Sequence, residues 1–243
     1  MKRYGIIGHP VAGSLSPRLF SAAYEDRYPY DLLDFPIFAD AWSAFLEGYE
    51  GINVTAPFKQ DAFRSVDRLS DNASLTGAVN LVVKQADGTL FGHNTDVDGV
   101  VCAVRECGLA VSSALVVGTG GAARAAVAAA RQLGLPVSVT GRNLEKAAAL
   151  GCPVVELGCP EPAFCLSEVP LVIYTLPSSA PVPLDLPLAG AVVLEAEYKH
   201  PQLAALPCRA YLSGRRWLLY QAIAGYSLFT GEVPNAAAME KAF

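Results

Sequence analysis

The feature that most constrains the fold is a glycine-rich turn between two apolar segments of different periodicity. Residues 114–117 are apolar, and the turn GTGGAA (118–123) leads into an alanine-rich helical pattern, predicted from Ala122 to Leu133, before a second apolar segment at 137–140. Glycines spaced G-x-G-x-x-G/A between a strand and a helix let a pyrophosphate approach the N–H groups at the positive end of the helix. A purely structural turn is the alternative. Because both strands and the helix are present, we favour a dinucleotide-binding βαβ unit.

The end of the second strand indicates which dinucleotide binds. An NAD site normally places an acid about 20 residues beyond the glycines, where it accepts hydrogen bonds from the ribose. Here the segment reads TGRN (140–143), and the first acid is Glu145. Arginine binds a phosphate through two parallel hydrogen bonds, whereas a carboxylate would repel it. The sequence therefore favours NADP over NAD.

Alternating strand and helix patterns over most of the chain predict an α/β protein of two domains. A chain of 243 residues with 52% hydrophobic and 17% charged residues can bury a substantial core. The last helical pattern is expected to pack back on the first half of the chain. We predict a first domain of residues 1–99 and 215–243 and a second, Rossmann-type domain of residues 100–214. Within the first domain we expect strands at 4–8, 51–55, 77–85 and 89–93, and helices at 17–27, 59–69 and 216–230. A helix at 98–107 is expected to lead out of this domain.

Charge and cysteine usage exclude several classes of protein. The net charge is −5 and no basic run occurs, which argues against nucleic acid or an anionic membrane as a partner. No apolar stretch has the length of a membrane span, and no signal peptide is expected. The six cysteines form no C-x-x-C pair and have no histidine at ligand spacing. We therefore expect a cytoplasmic protein whose cysteines are reduced and mostly buried.

The stretch HNTDVDG (93–99) has the alternating oxygens of a calcium loop. With Asn94 in the first position, Asp96, Asp98 and Gly99 fit the start of an EF-hand. The position of the bidentate glutamate is occupied by Arg105, and the residues after Gly99 look helical. We predict no metal site here, which leaves a turn or a carboxylate with another role.

Two further segments could carry chemistry. NVTAPFK (53–59) ends on Lys59, and GHPVAGSLSP (8–17) presents two hydroxyls after the first strand. In isolation, Lys59 would be a solvated residue in the first turn of a helix. Ser16 would cap the helix opened by Pro17.

Seven motifs in one order resemble the shikimate dehydrogenase family. They are GHPVAGSLSP, NVTAPFK, TGAVN, HNTDVDG, VVGTGGAARA, EYKHP and WLLYQAIAGYSLFTG, and they cover nearly the whole chain. The resemblance implies reversible, NADPH-dependent reduction of 3-dehydroshikimate to shikimate, a step of chorismate and aromatic amino acid biosynthesis. It implies NADP(H) as the cofactor and a small molecule as the partner of a monomer or homodimer.

Site residues follow from the resemblance position by position. The substrate carboxylate would be held by Ser14, Ser16 and Tyr198, and the ring hydroxyls by Thr55, Asn80, Asp96 and Gln221. Lys59 would transfer the proton, with Asp96 as its partner. The pyrophosphate would lie on Gly118, Thr119, Gly120, Gly121 and Ala122, and the adenosine phosphate on Arg142, Asn143 and Lys146. Asp71, Ala196 and Gly214 would line the nicotinamide.

The chemistry of these residues agrees with that substrate. A ring with three hydroxyls and one carboxylate needs short polar side chains from several loops, and reduction of a ketone needs a proton donor within hydrogen-bond reach. An ordinary lysine is protonated at neutral pH. In the oxidising direction a lysine held cationic is a poor base, so either burial promotes its deprotonation or Asp96 shares the transfer.

Three alternatives remain, of which two are other enzymes and one is a non-catalytic protein. A quinate/shikimate dehydrogenase with relaxed use of NAD would favour an acid after the second cofactor strand, where this chain has Arg142. A non-catalytic relative that binds NADP or a shikimate-like ligand would not need Lys59 and Asp96. A dinucleotide-dependent enzyme of one-carbon metabolism, which can share the two-domain layout, would not need the paired serines together with Thr55, Asn80 and Gln221.

Overall fold

The computed structural model describes residues 2–156, 169–183 and 185–243, which form two compact units. Unit 1 comprises Met1–Asp98 and Leu219–Phe243, and unit 2 comprises Gly99–Leu218. Each unit has its own sheet with helices, so the predicted α/β class is confirmed. No helix of the described residues is long and apolar enough to cross a membrane.

The strands of the two sheets are short and mostly buried. In unit 1 they are β1 (Tyr4–Gly8), β2 (Tyr30–Asp34), β3 (Gly51–Val54), β4 (Arg68–Leu69), β5 (Leu81–Lys84) and β6 (Leu90–His93). In unit 2 they are β7 (Ser113–Val117), β8 (Val137–Thr140), β9 (Pro170–Tyr174), β10 (Val192–Glu195) and β11 (Ala210–Leu212).

The helices of the described residues follow in chain order. They are α1 (Ser16–Tyr24), α2 (Phe38–Gly48), α3 (Lys59–Ser65), α4 (Asp71–Thr76), α5 (Asp96–Glu106), α6 (Gly121–Gln132), α7 (Leu144–Ala148), α8 (Gly214–Thr230) and α9 (Ala236–Lys241).

The sheet of unit 1 has the order β2-β1-β3-β5-β6-β4. Strand β5 runs antiparallel to β3 and β6, whereas β1 pairs in parallel with β2 and β3, and β4 with β6. The carboxyl ends of β1, β3 and β6 therefore lie at the same edge as the amino end of β5. Polar residues that follow those three strands or precede β5 are gathered at this edge.

Aromatic packing ties the end of the chain into unit 1. The Phe20 ring contacts Tyr226 edge to face at 4.8 Å, and Tyr4 stacks on Phe229 at 5.1 Å. The Tyr24 hydroxyl donates to the carbonyl oxygen of Tyr226 at 2.9 Å. Burial of large rings supplies most of the driving force for such packing. The prediction that the last helical segment packs on the first half of the chain is confirmed.

The sheet of unit 2 is parallel throughout, in the order β11-β10-β9-β7-β8. Central strands such as β10 are buried along their whole length, as expected when helices cover both faces of a parallel sheet. The alanine-rich face of α6 is buried, because small side chains let this helix approach closely. All strand carboxyl ends, where ligands of open parallel sheets bind, share one edge.

Several sequence-based expectations for local structure are wrong. Helix α3 was expected to reach Leu69 but ends at Ser65, because Arg68–Leu69 forms strand β4, which pairs with β6. Helix α5 begins at Asp96, two residues earlier than expected from Asp98. Ser16 does not cap α1: Leu15 is the N-cap, without a side-chain cap hydrogen bond, and Ser16 is the first helical residue.

The cysteines also differ from expectation. Cys102, Cys107, Cys152 and Cys208 are free, as expected, but partly exposed rather than buried. Cys159 and Cys165 lie outside the described residues.

Candidate active site

An ion pair between Lys59 and Asp96 is the centre of the polar edge of unit 1. Lys59 is the first residue of α3 and Asp96 the first of α5, and Nζ lies 2.5 Å from Oδ2. Their side chains are 22% and 14% exposed, so water screens the pair only partly. A cation and a carboxylate in a partly open polar site form a suitable proton-transfer pair.

Asn80, which is buried, connects this pair to the end of the chain. Its Nδ2 donates to Asp96 Oδ1 at 3.0 Å and to Gln221 Oε1 at 3.2 Å, and its Oδ1 accepts the N–H of Thr95 at 2.8 Å. The Thr95 hydroxyl also donates to Gln221 at 3.3 Å. Both oxygens of Asp96 therefore have partners, Lys59 on one and Asn80 on the other.

The remaining residues of HNTDVDG have structural roles. Asn94 accepts the N–H of Asp96 at 3.2 Å through its Oδ1. Its Nδ2 donates to the hydroxyl of Thr76 at 2.9 Å, which fixes the start of α5. Burial raises the pKa of Asp98, whose carboxylate accepts a hydrogen bond from Asn72 at 3.4 Å. Among the described residues there is no group of three His, Cys, Asp or Glu side chains arranged to hold a metal ion.

The two predicted serines form a pair in the loop after β1. Ser14 Oγ donates to Ser16 Oγ at 3.1 Å, and Tyr226 donates to the carbonyl oxygen of Ser16 at 3.0 Å. The loop is held to the segment after β3, because the N–H of His9 donates to the carbonyl oxygen of Ala56 at 3.1 Å.

A second contact holds the first residues of the same loop. Nδ1 of His9 lies 2.7 Å from a carboxylate oxygen of Asp34. The other oxygen of Asp34 accepts the N–H of Val11 at 3.1 Å. The hydrogen bond with His9 lowers the pKa of Asp34. The serine loop is therefore fixed on both sides, to β2 and to the segment after β3.

Thr55 reaches the polar edge because Gly8 leaves room for it. The N–H of Thr55 donates to the carbonyl oxygen of Ile7 at 2.9 Å, extending the pairing of β1 and β3. A Cβ at Gly8 would lie 2.4 Å from the Thr55 methyl group. The close approach of β1 and β3 at this edge therefore depends on glycine.

In unit 2 the glycine turn has the geometry of a phosphate cradle. Gly118 has a φ of +122°, and a Cβ there would lie 2.3 Å from the Thr175 hydroxyl oxygen. Gly120 is the N-cap of α6 and Gly121 its first residue, with no acid in the first turn. The first N–H groups of a helix bind anions well. Thr119 and Ala122 complete the turn, so these residues fit a pyrophosphate.

A mostly apolar cavity of ≈ 350 Å³ lies at the carboxyl ends of β7, β8 and β9. Arg142 lines it together with Leu144, Val155 and Leu176. The apolar side chains suit the base and ribose of a nucleotide, and the Arg142 guanidinium supplies a cation beside them. Glu156 also lines this cavity and brings a carboxylate that the sequence pattern did not reveal. An isolated parallel β-bridge between Val139 and Val154 brings the segment that carries Glu156 beside strand β8.

The other expected cofactor residues are distributed unevenly. Asn143 caps α7 by accepting the N–H of Lys146 at 2.8 Å, so its amide oxygen is engaged, while both side chains remain exposed. Ala196 and Gly214 meet, because a Cβ at Gly214 would lie 2.5 Å from the carbonyl oxygen of Ala196. Asp71, in the first turn of α4, belongs to unit 1.

Sequence reasoning missed Thr95, Glu156 and Glu195. Thr95 lies inside the HNTDVDG motif and could have been singled out by its hydroxyl. Glu195 is fully buried, and its N-terminal position in the EAEYKHP segment gave no sign of this.

Comparison with known proteins identifies the family. Residues 6–82 match the family model described as the shikimate dehydrogenase substrate binding domain. A relative from Thermus thermophilus, named shikimate dehydrogenase (NADP(+)), is 34% identical over 261 residues, covering 100% of this chain and 97% of that protein. The chain belongs to the shikimate dehydrogenase family.

Solved structures of two dehydrogenases share the fold. The crystal structure of shikimate 5-dehydrogenase from Thermus thermophilus in complex with NADP(H) and shikimate matches with a TM-score of 0.86 and 31% identity, covering 100% of this chain and 98% of that one. A quinate dehydrogenase from Corynebacterium glutamicum in complex with NAD matches with a TM-score of 0.84 and 25% identity, covering 100% of this chain and 98% of that one.

Proposed function

We propose that this protein is an NADP-dependent shikimate dehydrogenase that reduces 3-dehydroshikimate reversibly to shikimate. The observation that carries the proposal is the shielded Lys59–Asp96 pair joined through Asn80 to Gln221. This arrangement presents a proton donor among amide, carboxylate and hydroxyl groups that can bind a polyhydroxylated ring. Its family relatives named as shikimate dehydrogenases support the same reaction.

Each residue of the cluster has a distinct role in this proposal. In the reducing direction, negative charge develops on the ketone oxygen, and the ammonium group of Lys59 donates a proton to it. Asp96 orients that ammonium group and accepts a hydrogen bond from a ring hydroxyl. Asn80, Thr55 and Gln221 bind the other hydroxyls. In the oxidising direction Lys59 or Asp96 accepts the proton.

The substrate carboxylate has its own proposed ligands. The hydroxyls of Ser14 and Ser16 lie 3.1 Å apart and can both donate to one anionic group. Tyr198 is proposed as a third donor. Three neutral donors suit a carboxylate, because each adds a charge-assisted hydrogen bond without a second charge to desolvate.

We propose that unit 2 is the NADP domain and that unit 1 is the substrate domain. The extents predicted from the sequence for these two domains are residues 100–214 and residues 1–99 with 215–243. The cradle of Gly118 to Ala122 would hold the pyrophosphate, and Arg142 with Lys146 the adenosine phosphate. Ala196, Gly214 and Asp71 are proposed for the nicotinamide side. When bound, NADPH supplies the hydride for the carbonyl carbon. We also propose a cytoplasmic location and a monomeric or homodimeric state.

The test follows the absorbance of NADPH at 340 nm with 3-dehydroshikimate. The protein should oxidise the cofactor, and Lys59→Met should lower kcat by about 10²–10⁴, the usual contribution of a general acid. Lys241→Ala, at an exposed position in α9, is the matched control. No turnover by the unaltered protein would refute the reaction, and full turnover by Lys59→Met would remove Lys59 from it.

A quinate dehydrogenase that accepts NAD is the second candidate. Glu156 on the cavity beside Arg142 favours it, because a carboxylate there accepts hydrogen bonds from an unphosphorylated ribose. Assays with quinate and with NADH run in parallel distinguish the two activities. A non-catalytic ligand-binding relative would bind NADPH yet turn over none of these substrates.

A further inference from the structure

A buried carboxylate in unit 2 has no part in the reaction proposed above. Glu195 ends β10 and is 0% exposed, and it is the one charged side chain in the buried class among the residues that the structure describes. Three donors point at its two oxygens: the N–H of Gln202 at 2.6 Å, the N–H of Leu203 at 3.1 Å and the hydroxyl of Tyr211 at 2.8 Å. A buried carboxylate is tolerated only with such partners, so these contacts offset the cost of its burial.

The two backbone donors close a loop. The loop of residues 196–201 begins directly after Glu195, the last residue of β10. It ends at Gln202, whose N–H group, like that of Leu203, donates to the Glu195 carboxylate, so this carboxylate joins the end of the loop to its beginning. At the start of the loop, the N–H of Ala196 donates to the carbonyl oxygen of Tyr174 at 2.8 Å. The loop carries Ala196 and Tyr198, two of the proposed site residues.

Neighbouring contacts fix the same region from both sides. The Gln202 side chain donates to the carbonyl oxygens of Ser178 at 3.2 Å and Ala180 at 3.1 Å, and it accepts from the Tyr174 hydroxyl at 3.3 Å. Tyr211 belongs to the adjacent strand β11. Through Gln202 and Tyr211, the carboxylate of Glu195 is linked to β9 and to β11.

We propose that Glu195 is a positioning residue, which holds the loop of residues 196–201 so that Tyr198 is correctly placed for the substrate carboxylate and Ala196 for the nicotinamide. The inference rests on the function proposed above. Glu195 itself has no proposed contact with substrate or cofactor. It acts through the backbone of Gln202 and Leu203.

Glutamine is the informative replacement because it has nearly the same shape. The glutamine amide has one oxygen and one NH₂ group in place of two oxygens. Its NH₂ group must therefore face an N–H or hydroxyl group that now donates to a carboxylate oxygen, so two donors meet. Glu197 offers a matched control in the same loop. It is only partly buried, and one oxygen, Oε1, accepts the N–H groups of Lys199 and His200, so the amide oxygen of glutamine can replace it.

The experiment compares Glu195→Gln and Glu197→Gln in three measurements. These are the KM for shikimate with kcat, the dissociation constant of adenosine 2′,5′-bisphosphate, and hydrogen exchange of the peptide that contains residues 196–203. Glu195→Gln should raise the KM for shikimate about tenfold or more, since small displacements of binding groups cost up to about 10²-fold. Binding of the bisphosphate should change less than about twofold, because its proposed ligands follow β7 and β8. Exchange at Gln202 and Leu203 should accelerate.

Three results would overturn the inference. They are kinetic constants of Glu195→Gln equal to those of Glu197→Gln, unchanged exchange at Gln202 and Leu203, or a loss of bisphosphate binding as large as the loss of shikimate binding. If Glu195→Gln does not fold, Tyr211→Phe removes one donor and should raise the KM for shikimate about threefold, and an unchanged KM would count against the inference. If the unaltered protein has no turnover, the proposed function fails and hydrogen exchange alone decides the role of Glu195 in the loop.

Discussion

Replacing Asn80 with aspartate would place a second carboxylate beside Asp96. The Nδ2 atom of Asn80 lies 3.0 Å from Asp96 Oδ1 and 3.2 Å from Gln221 Oε1. When that nitrogen is replaced, the contact with Asp96 becomes a contact between two carboxylate oxygens, whereas the Gln221 side-chain amide can turn and donate. Thr95 still donates its N–H to the unchanged oxygen, so the fold around the site is retained and the change is mainly electrostatic.

The repulsion can be estimated from these distances. Two unit charges about 3 Å apart repel by about 5 kcal/mol at an effective dielectric constant of about 20. The Lys59 cation on the other oxygen of Asp96 offsets part of this, so a loss of about 3 kcal/mol at pH 8 is expected. Such a repulsion raises the pKa of the introduced carboxyl by roughly 2 above its usual value of about 3.9. A raised pKa in the folded state means that stability is retained below about pH 4 and lost as pH rises through the folded-state pKa.

Urea unfolding at pH 4 to 8 measures the effect. The midpoint of Asn80→Asp should approach that of the unaltered protein at pH 4, fall below it as pH rises to about 6, and level off toward pH 8. The double variant Asn80→Asp with Asp96→Asn exchanges the two groups and should remove most of the pH dependence. If the difference in urea midpoint between Asn80→Asp and the unaltered protein is the same at every pH in this range, the electrostatic reasoning is refuted.

Three further predictions concern other parts of the molecule. Gly214→Ala should destabilise the protein by about 2–4 kcal/mol in thermal unfolding, because its Cβ would meet a backbone carbonyl oxygen at 2.5 Å, whereas Gly48→Ala, with open space, should not. Burial lowers the pKa of His93, so stability should be complete above about pH 6.5 and decline as pH falls through the folded-state pKa. His93→Gln should flatten that decline in urea titrations, and a decline as steep as that of the unaltered protein would contradict this prediction. Arg142→Ala should raise the KM for NADPH about tenfold or more and leave that for NADH nearly unchanged; equal effects on both cofactors would exclude Arg142 as a phosphate ligand.

The parts of the fold set by local pattern were predictable from sequence. Strand β8 has the predicted bounds, and β7 and α6 each begin one residue earlier than expected. Their signals, an apolar run, glycines and an alanine-rich helix, all lie within the segment itself. The strand expected at 77–85 is shorter because Gly77, with a φ of +61°, ends helix α4.

Elements defined by partners elsewhere in the chain were missed. Strand β2 is a partly exposed edge strand, so its residues lack the apolar alternation that marks a half-buried strand. The pairing of Arg68–Leu69 with β6 depends on residues more than 20 positions away. A local pattern carries no information about such partners.

The candidate site divides in the same way. Motifs pointed to Lys59, Asp96 and Asn80 individually, but their contacts depend on the antiparallel placement of β5, which periodicity does not reveal. Glu195 was missed because an acid in a sequence is ordinarily expected at the surface. Its burial follows from three donors that only the folded loop brings together.

The turn between β5 and β6 lies at the opposite edge of the sheet from Lys59, Asn80 and Asp96. It is exposed at Asp87 and Gly88 and is closed by the N–H of Gln85 donating to Thr89 at 2.8 Å. Opening the chain there would yield two fragments, one carrying Lys59 and Asn80 and the other Asp96 and Gln221. Neither fragment would hold a complete proton-transfer pair. Turnover in a mixture of the two would then report their reassociation, making this turn a natural place to build a split reporter from the protein.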